Sequence, residues 1–236
     1  GVGVGVDGAG YVYVVGQTNS DDLRTTPGAY DRTFSYIDIG LNPDVFLAKI
    51  NPVGGGASDL LYSTYVGAGF VNTPHGMTVD ENGVVYVTGS VMGNSGLLAP
   101  KIGFPTTPGA YPTPSECVAY YCQDLFFFKL NPAGNGSADL LYSAFFGGTM
   151  DAVWETEHGA DVAIAPDGTV ALVGVTETPD FPTTPGAFME AQPSGAGATT
   201  IVAKLNPAGQ GAADLLYSTY LGGAGATAGT AVAVAD

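Results

Sequence analysis

The chain has 236 residues, 45% of them hydrophobic and only 12% charged. That is ample material for a buried core and too little charge for disorder, and no apolar run reaches the roughly 18 residues that span a bilayer. Lys and Arg total 6 against 22 Asp and Glu, a formal net charge of −16, which repels phosphate backbones and anionic lipid and argues against nucleic-acid binding and membrane insertion.

Residues 1–7 alternate Gly and Val, a pattern that predicts a strand packed closely on its neighbours. Asp7-Gly8-Ala9-Gly10 is a turn, because Asp accepts backbone hydrogen bonds and Gly tolerates positive φ. Tyr11-Val12-Tyr13-Val14-Val15 is a second strand of β-branched and aromatic residues, so the two form a hairpin. The next segment carries Thr-Thr-Pro-Gly-Ala from Thr25, whose proline and glycine exclude regular structure. Tyr30 behind it is expected to plug this loop onto the sheet edge. Residues 45–50 are apolar on both faces and predict a strand buried on both sides, with Lys49 reaching solvent over its covered stem. Asn51-Pro52 opens a glycine-rich loop, and residues 60–65 form a fourth strand.

The order then repeats. Hairpins recur at 77–88 around Glu81-Asn82-Gly83 and at 162–173 around Pro166-Asp167-Gly168. Thr-Thr-Pro-Gly-Ala returns at Thr106 and Thr183, each followed by an aromatic residue, Tyr111 or Phe188. Lys-(Ile/Leu)-Asn-Pro stands at Lys49, Lys129 and Lys204, spaced by 80 and then 75 residues, and Asp-Leu-Leu-Tyr-Ser at Asp59, Asp139 and Asp214 keeps the same spacings. Landmarks in constant order at near-constant period define a tandem repeat. The predicted units are residues 1–69, 70–150 and 151–225. Residues 226–236 form a remainder in which Ala231-Val232-Ala233-Val234-Ala235-Asp236 matches a first strand with nothing after it. The predicted class is all-β, a β-propeller-type tandem repeat of three four-stranded antiparallel blades plus an extra C-terminal strand. Left alone that strand would expose its backbone groups. It is therefore the expected self-association element, pairing with another copy of the chain or with further repeats of the same polypeptide.

Four motifs together resemble the bacterial β-propeller repeat called SBBP: Val79-Asp80 with Tyr86-Val87-Thr88-Gly89, Phe-Pro-Thr-Thr-Pro-Gly-Ala at 104–110, Ala203-Lys204-Leu205-Asn206-Pro207, and Leu-Leu-Tyr-Ser-Thr-Tyr-Leu-Gly-Gly at 215–223. The resemblance implies a large secreted or surface-exposed protein with many repeats, and it brings no catalytic residues. This chain departs from it mainly by extra residues at 92–102 and around its cysteines.

Residues able to do chemistry are few. No Gly-x-Ser-x-Gly elbow or His-Glu-x-x-His pair is present, and an enzyme is not expected. Asp7, Asp80 and Asp167 lie at or near hairpin tips. They are better read as turn formers than as Ca²⁺ ligands, since no turn has the Asp-x-Asp-x-Asp-Gly spacing, but Ca²⁺ is the one cofactor the turns admit. His75 and His158 each precede a glycine near a first strand, which favours a structural role over proton transfer. Trp154 beside Glu155 and Glu157 is a packing anchor or a sugar-stacking platform, which keeps carbohydrate open as a partner. Cys117 and Cys122 are spaced to close a small disulfide loop, the favoured reading over two free thiols, and this points to an oxidising compartment. The expected function is a non-enzymatic extracellular or cell-surface structural or adhesive protein that self-associates into a layer or filament. The alternative is the scaffold or carbohydrate-binding part of a larger secreted enzyme.

Overall fold

The computed structural model describes residues 2–35, 43–67, 71–94, 104–112, 120–149 and 156–235. Within them the chain is nearly all β. Three four-stranded sheets run β1-β2-β3-β4, β5-β6-β7-β8 and β9-β10-β11-β12, each a meander of antiparallel neighbours. The first blade comprises β1 (Gly3–Val6), β2 (Val12–Thr18), β3 (Asp44–Ile50) and β4 (Leu60–Val66). The second comprises β5 (Asn72–Val79), β6 (Val85–Asn94), β7 (Tyr120–Leu130) and β8 (Leu140–Phe146). The third comprises β9 (Glu157–Ile164), β10 (Val170–Thr176), β11 (Thr199–Leu205) and β12 (Leu215–Leu221). The glycine-rich loop before each fourth strand contains one turn of 3₁₀ helix, at Gly56–Asp59, Gly136–Asp139 and Gly211–Asp214, which the sequence pattern did not predict.

The blades stack face to face. The back of blade one, with Tyr13, Val45, Leu47 and Val66, packs on the front of blade two, with Val87, Phe126, Phe128 and Leu130. The back of blade two, with Tyr86, Leu125, Phe127 and Phe146, packs on the front of blade three, with Val162, Leu172, Ile201 and Leu205. Strand alternation supplies both faces from one run of residues. First strands lie side by side, β1 on β5 and β5 on β9.

The Thr-Thr-Pro-Gly-Ala loop covers the outer edge of its own blade. The Thr26 amide donates to the Ser63 carbonyl and the Ser63 amide to Thr26 Oγ1, both at 3.1 Å. Thr107 with Ser143 and Thr184 with Ser218 repeat the exchange. An edge strand that would otherwise recruit another chain is thereby closed. The glycine of the loop then reaches the next blade: the Gly136 amide donates to the Gly28 carbonyl, and the Gly211 amide to the Gly109 carbonyl, each at 2.7 Å.

Residues 224–235 form no strand. The predicted terminal strand does not extend away from the blades but lies along the back of blade three, where Val232 is half-buried and Val234 stays exposed; Asp236 is outside the described residues. Ladder bonds are absent from this segment because no second strand stands beside it.

Gly28 and Gly186 occupy the same loop position with φ of 77° and 82°. A Cβ on Gly28 would stand 2.3 Å from the Gly134 carbonyl oxygen, whereas one on Gly186 meets nothing within 4 Å. Gly186→Ala is therefore expected to cost about 1 kcal/mol, the left-handed backbone penalty alone. Gly28→Ala should cost roughly 3 kcal/mol, because overpacking against rigid backbone is added. Urea unfolding of the two variants checks the difference, and equal losses would contradict the seam described here.

Candidate functional site

The polar groups of the molecule gather at the seams between blades. At the outer end of the first seam, the Tyr62 hydroxyl donates to Asp139 Oδ2 at 2.9 Å, and receives the Tyr30 amide at 2.9 Å. Asp139 is tied in turn by the amides of Gly134 and Asn135. In the second seam the Tyr111 amide donates to the Tyr142 hydroxyl at 3.0 Å, and the Tyr142 phenol faces the buried Asp214. Burial and the facing carboxylate push both phenols well above the usual tyrosine range. These hydroxyls thus stay protonated and keep donating. The pair was missed in the sequence. The signal was Asp and Tyr repeating together, three residues apart, inside an otherwise apolar block.

At the inner end, Asn72 Nδ2 donates to Asp44 Oδ1 at 3.2 Å across the first seam. In the second seam Glu157 stands in the place of Asn72 and Asp124 in that of Asp44. Glu157 Oε2 and Asp124 Oδ1 both crowd Gly147. Glu157 accepts from Thr176, Thr178 and the Gly148 amide. Burial, helped by the Asp124 charge, nonetheless raises its carboxyl to about 8, and burial raises Asp44 to about 6.

The three candidate calcium residues are engaged in their own turns. Asp7 Oδ1 accepts the amides of Ala9 and Tyr11, and Asp7 Oδ2 accepts the Tyr13 hydroxyl at 2.8 Å. Lys49 lies 3.9 Å from Asp7 and over the rings of Tyr11 and Tyr13, so this lysine is drawn into the hairpin. Asp80 accepts from Asn82 and Val84, and Asp167 from Thr169. Among the described residues no group of three or more His, Cys, Asp or Glu side chains is placed to share a cation.

His75 and His158 come together from neighbouring first strands, with ring centroids 5.3 Å apart, and His75 Nε2 lies 3.3 Å from Ser90 Oγ. Desolvation lowers both imidazoles below the usual histidine value, although His75 keeps an exposed face. Cys117 lies outside the described residues, and with it the Cys117–Cys122 pairing; Trp154 and Glu155 lie outside them as well.

Each seam has a half-formed counterpart at the ends of the stack. On blade three, Tyr217 is 37% exposed, whereas Tyr62 and Tyr142 are 2% and 1% exposed. Phe188 is 74% exposed. It was expected to plug its loop like Tyr30 and Tyr111, but those rings pack into a seam with the next blade, and among the described residues no blade packs on the back of blade three. On blade one, Val4 and Val6 are 69% and 58% exposed. Their counterparts Met77 and Val79 pack on blade one, at Gly3 and Gly5. Asp59 is half-buried, and among the described residues no tyrosine reaches it as Tyr62 reaches Asp139.

Stacked four-stranded meanders, joined by seams that recur from blade to blade, make this a β-propeller repeat domain. The family model of the SBBP beta-propeller repeat matches residues 1–24 and 61–90, so the chain carries this repeat. The second match begins in β4 and ends in β6, so the sequence unit straddles the boundary between blades one and two. No curated protein matches the chain.

The sign of the Glu157 shift gives a pH test. Its folded-state value of about 8 lies above the ordinary 4.5. The folded state therefore holds a proton that the unfolded chain releases, and stability falls as pH rises between those values. Glu157→Gln keeps an acceptor for the threonines and cannot ionise. The variant should lose less melting temperature than the wild type between pH 5 and 8.5 and be the more stable at pH 8.5. Parallel pH profiles would refute the buried proton.

Proposed function

We propose that this chain is a non-enzymatic structural or adhesive repeat protein of the cell exterior, which self-associates into a surface layer or filament. The observation that carries this reading is the pair of open ends. The front of blade one and the back of blade three are the two halves of a seam made twice within the chain, the first exposed at Val4 and Val6 and the second covered in part by the terminal segment. A heterologous contact of that kind builds a ring if its rotation closes and a filament if it does not. The extracellular setting is supported by the spacing of Cys117 and Cys122, which is expected to close a disulfide loop, and by an acidic composition solubilised by carboxylates.

Sedimentation velocity over a concentration series tests the reading. The net charge of −16 opposes contact between copies, so association should grow from low salt to about 0.15 M NaCl, where the Debye length is roughly 8 Å. A chain that stays monomeric at every concentration and salt would end the proposal. Separately, Cys117 and Cys122 should resist alkylation until reductant is added, as read by intact mass. Labelling of both thiols without reductant would remove the cysteine support for an oxidising compartment.

A further inference from the structure

Resting on the self-association reading, we propose that the back of blade three binds the front of blade one of a second copy of this chain, whose β1 takes the line now held by residues 231–235. The interface is the internal seam continued. In the first internal seam the Tyr62 hydroxyl donates to Asp139 on the loop of the next blade, and in the second Tyr142 faces Asp214 in the same place. At the ends the unused partners are Tyr217 and Asp59. Each internal seam also joins a loop-glycine carbonyl to a glycine amide. The unused pair is the Gly186 carbonyl and the Gly56 amide, both exposed. Val4 and Val6 on the exposed side of β1 complete the front surface.

The terminal segment marks where β1 would lie. A Cβ on Gly159 would meet Thr88 of blade two, and a Cβ on Gly229 would meet Val173 and Thr200 of blade three. Thr88 and Val173 hold the same position in β6 and β10, directly before Gly89 and Gly174. Gly229 therefore sits against blade three as Gly159 sits against blade two. The Val232 amide donates to Asp161 Oδ2 at 3.0 Å on the neighbouring first strand. The segment is a first strand in position but not in pairing. It is pinned at Thr227, whose amide donates to the Ala198 carbonyl and whose Oγ1 receives the Thr200 amide. Beyond Thr227, Val232 makes the one hydrogen bond found among the described residues of the segment. A cleft of about 510 Å³ remains between it and Val173, Val202 and Leu221. An incoming β1 arrives already paired to β2 along its length. It brings the rest of its sheet to fill that cleft and to reach Tyr217 and Phe188, which the single segment does not cover.

The test is sedimentation velocity of the 236-residue chain and of two surface variants, with circular dichroism to establish that each is folded. Phe188→Glu damages the back of blade three and leaves the front of blade one intact; Val4→Asp does the reverse. Each variant alone should associate more weakly by on the order of a hundredfold, the scale of placing an unpaired charge in an apolar contact. Mixed one to one, they should form a dimer that grows no further, because each supplies the half the other lacks. Tyr217→Phe should weaken association about tenfold through loss of a hydrogen bond to a carboxylate. Removing residues 231–236 should strengthen association, since the first-strand line is then vacant; weakening would overturn the displacement. If the wild type associates while both variants do so equally well, or the mixture fails to dimerise, this interface is wrong and self-association stands. A wild type that never associates removes both.

Discussion

A four-stranded sheet that is apolar on both faces must be covered twice. Alternation along β7 sends Leu125 and Phe127 to one side and Phe126 and Phe128 to the other, and all four are fully buried. Burying an aromatic or branched side chain stabilises by roughly 1.5–3 kcal/mol, so leaving either face bare would undo the blade. The loops are bent to serve that stacking, and the distribution of polar groups follows from it as well.

Apolar faces alone would let one blade slide over the next. The polar seams fix the register. At the outer radius Tyr62 is held between the Tyr30 amide of its own blade and Asp139 of the next. One hydroxyl thereby couples loop position to blade position. At the inner radius the first seam uses an amide and a carboxylate, Asn72 and Asp44, a pair that can bond whether or not the acid is ionised. The second seam uses two carboxyls, Glu157 and Asp124, which pack well only while a proton is retained. The same geometric slot is thus a neutral pin in one seam and a proton-dependent one in the other.

Most of the fold was legible because its signals are local and repeated three times. Period-2 alternation, Asp-Gly turns and recurring loops marked the sheets within a few residues, from the Gly-Val run at β1 to the Leu-Leu-Tyr-Ser block at β12. What escaped was between blades. Nothing local says that Tyr62 meets Asp139, 77 residues away, or that the His75 ring lies tilted against His158 from the adjacent first strand. The Phe188 expectation failed for the same reason. An aromatic anchor is defined by the blade it packs against, and the sequence of its own repeat does not say whether that blade is present. The terminal segment was expected from its pattern to be a first strand, yet a strand is a paired object, and among the described residues no second strand pairs with it.

The back of blade three differs in composition from the two backs that are permanently covered. Where blades one and two place Tyr13 and Tyr86 opposite the lysine of the third strand, blade three places Ala171. Where they place Val45 and Leu125, blade three has Thr200, and Val202 stands for Leu47 and Phe127. The face is smaller and more polar than an obligate core, though it keeps Val173, Tyr217 and Leu221 as apolar ground. Permanent interfaces resemble a domain core cut in half, whereas those that form and separate stay closer to ordinary surface in composition. The trimmed back of blade three lies between these limits. Truncating Tyr to Ala and exchanging Val or Leu for Thr lowers the cost of exposing the face to water. It leaves the hydroxyl and carbonyl pins, Tyr217 and Gly186, in place to specify what may cover it. Such a composition suits a face covered only by a loosely held segment and would suit the proposed exchange for a whole blade, whereas a back built like that of blade two would leave Leu125 and Phe127 bare.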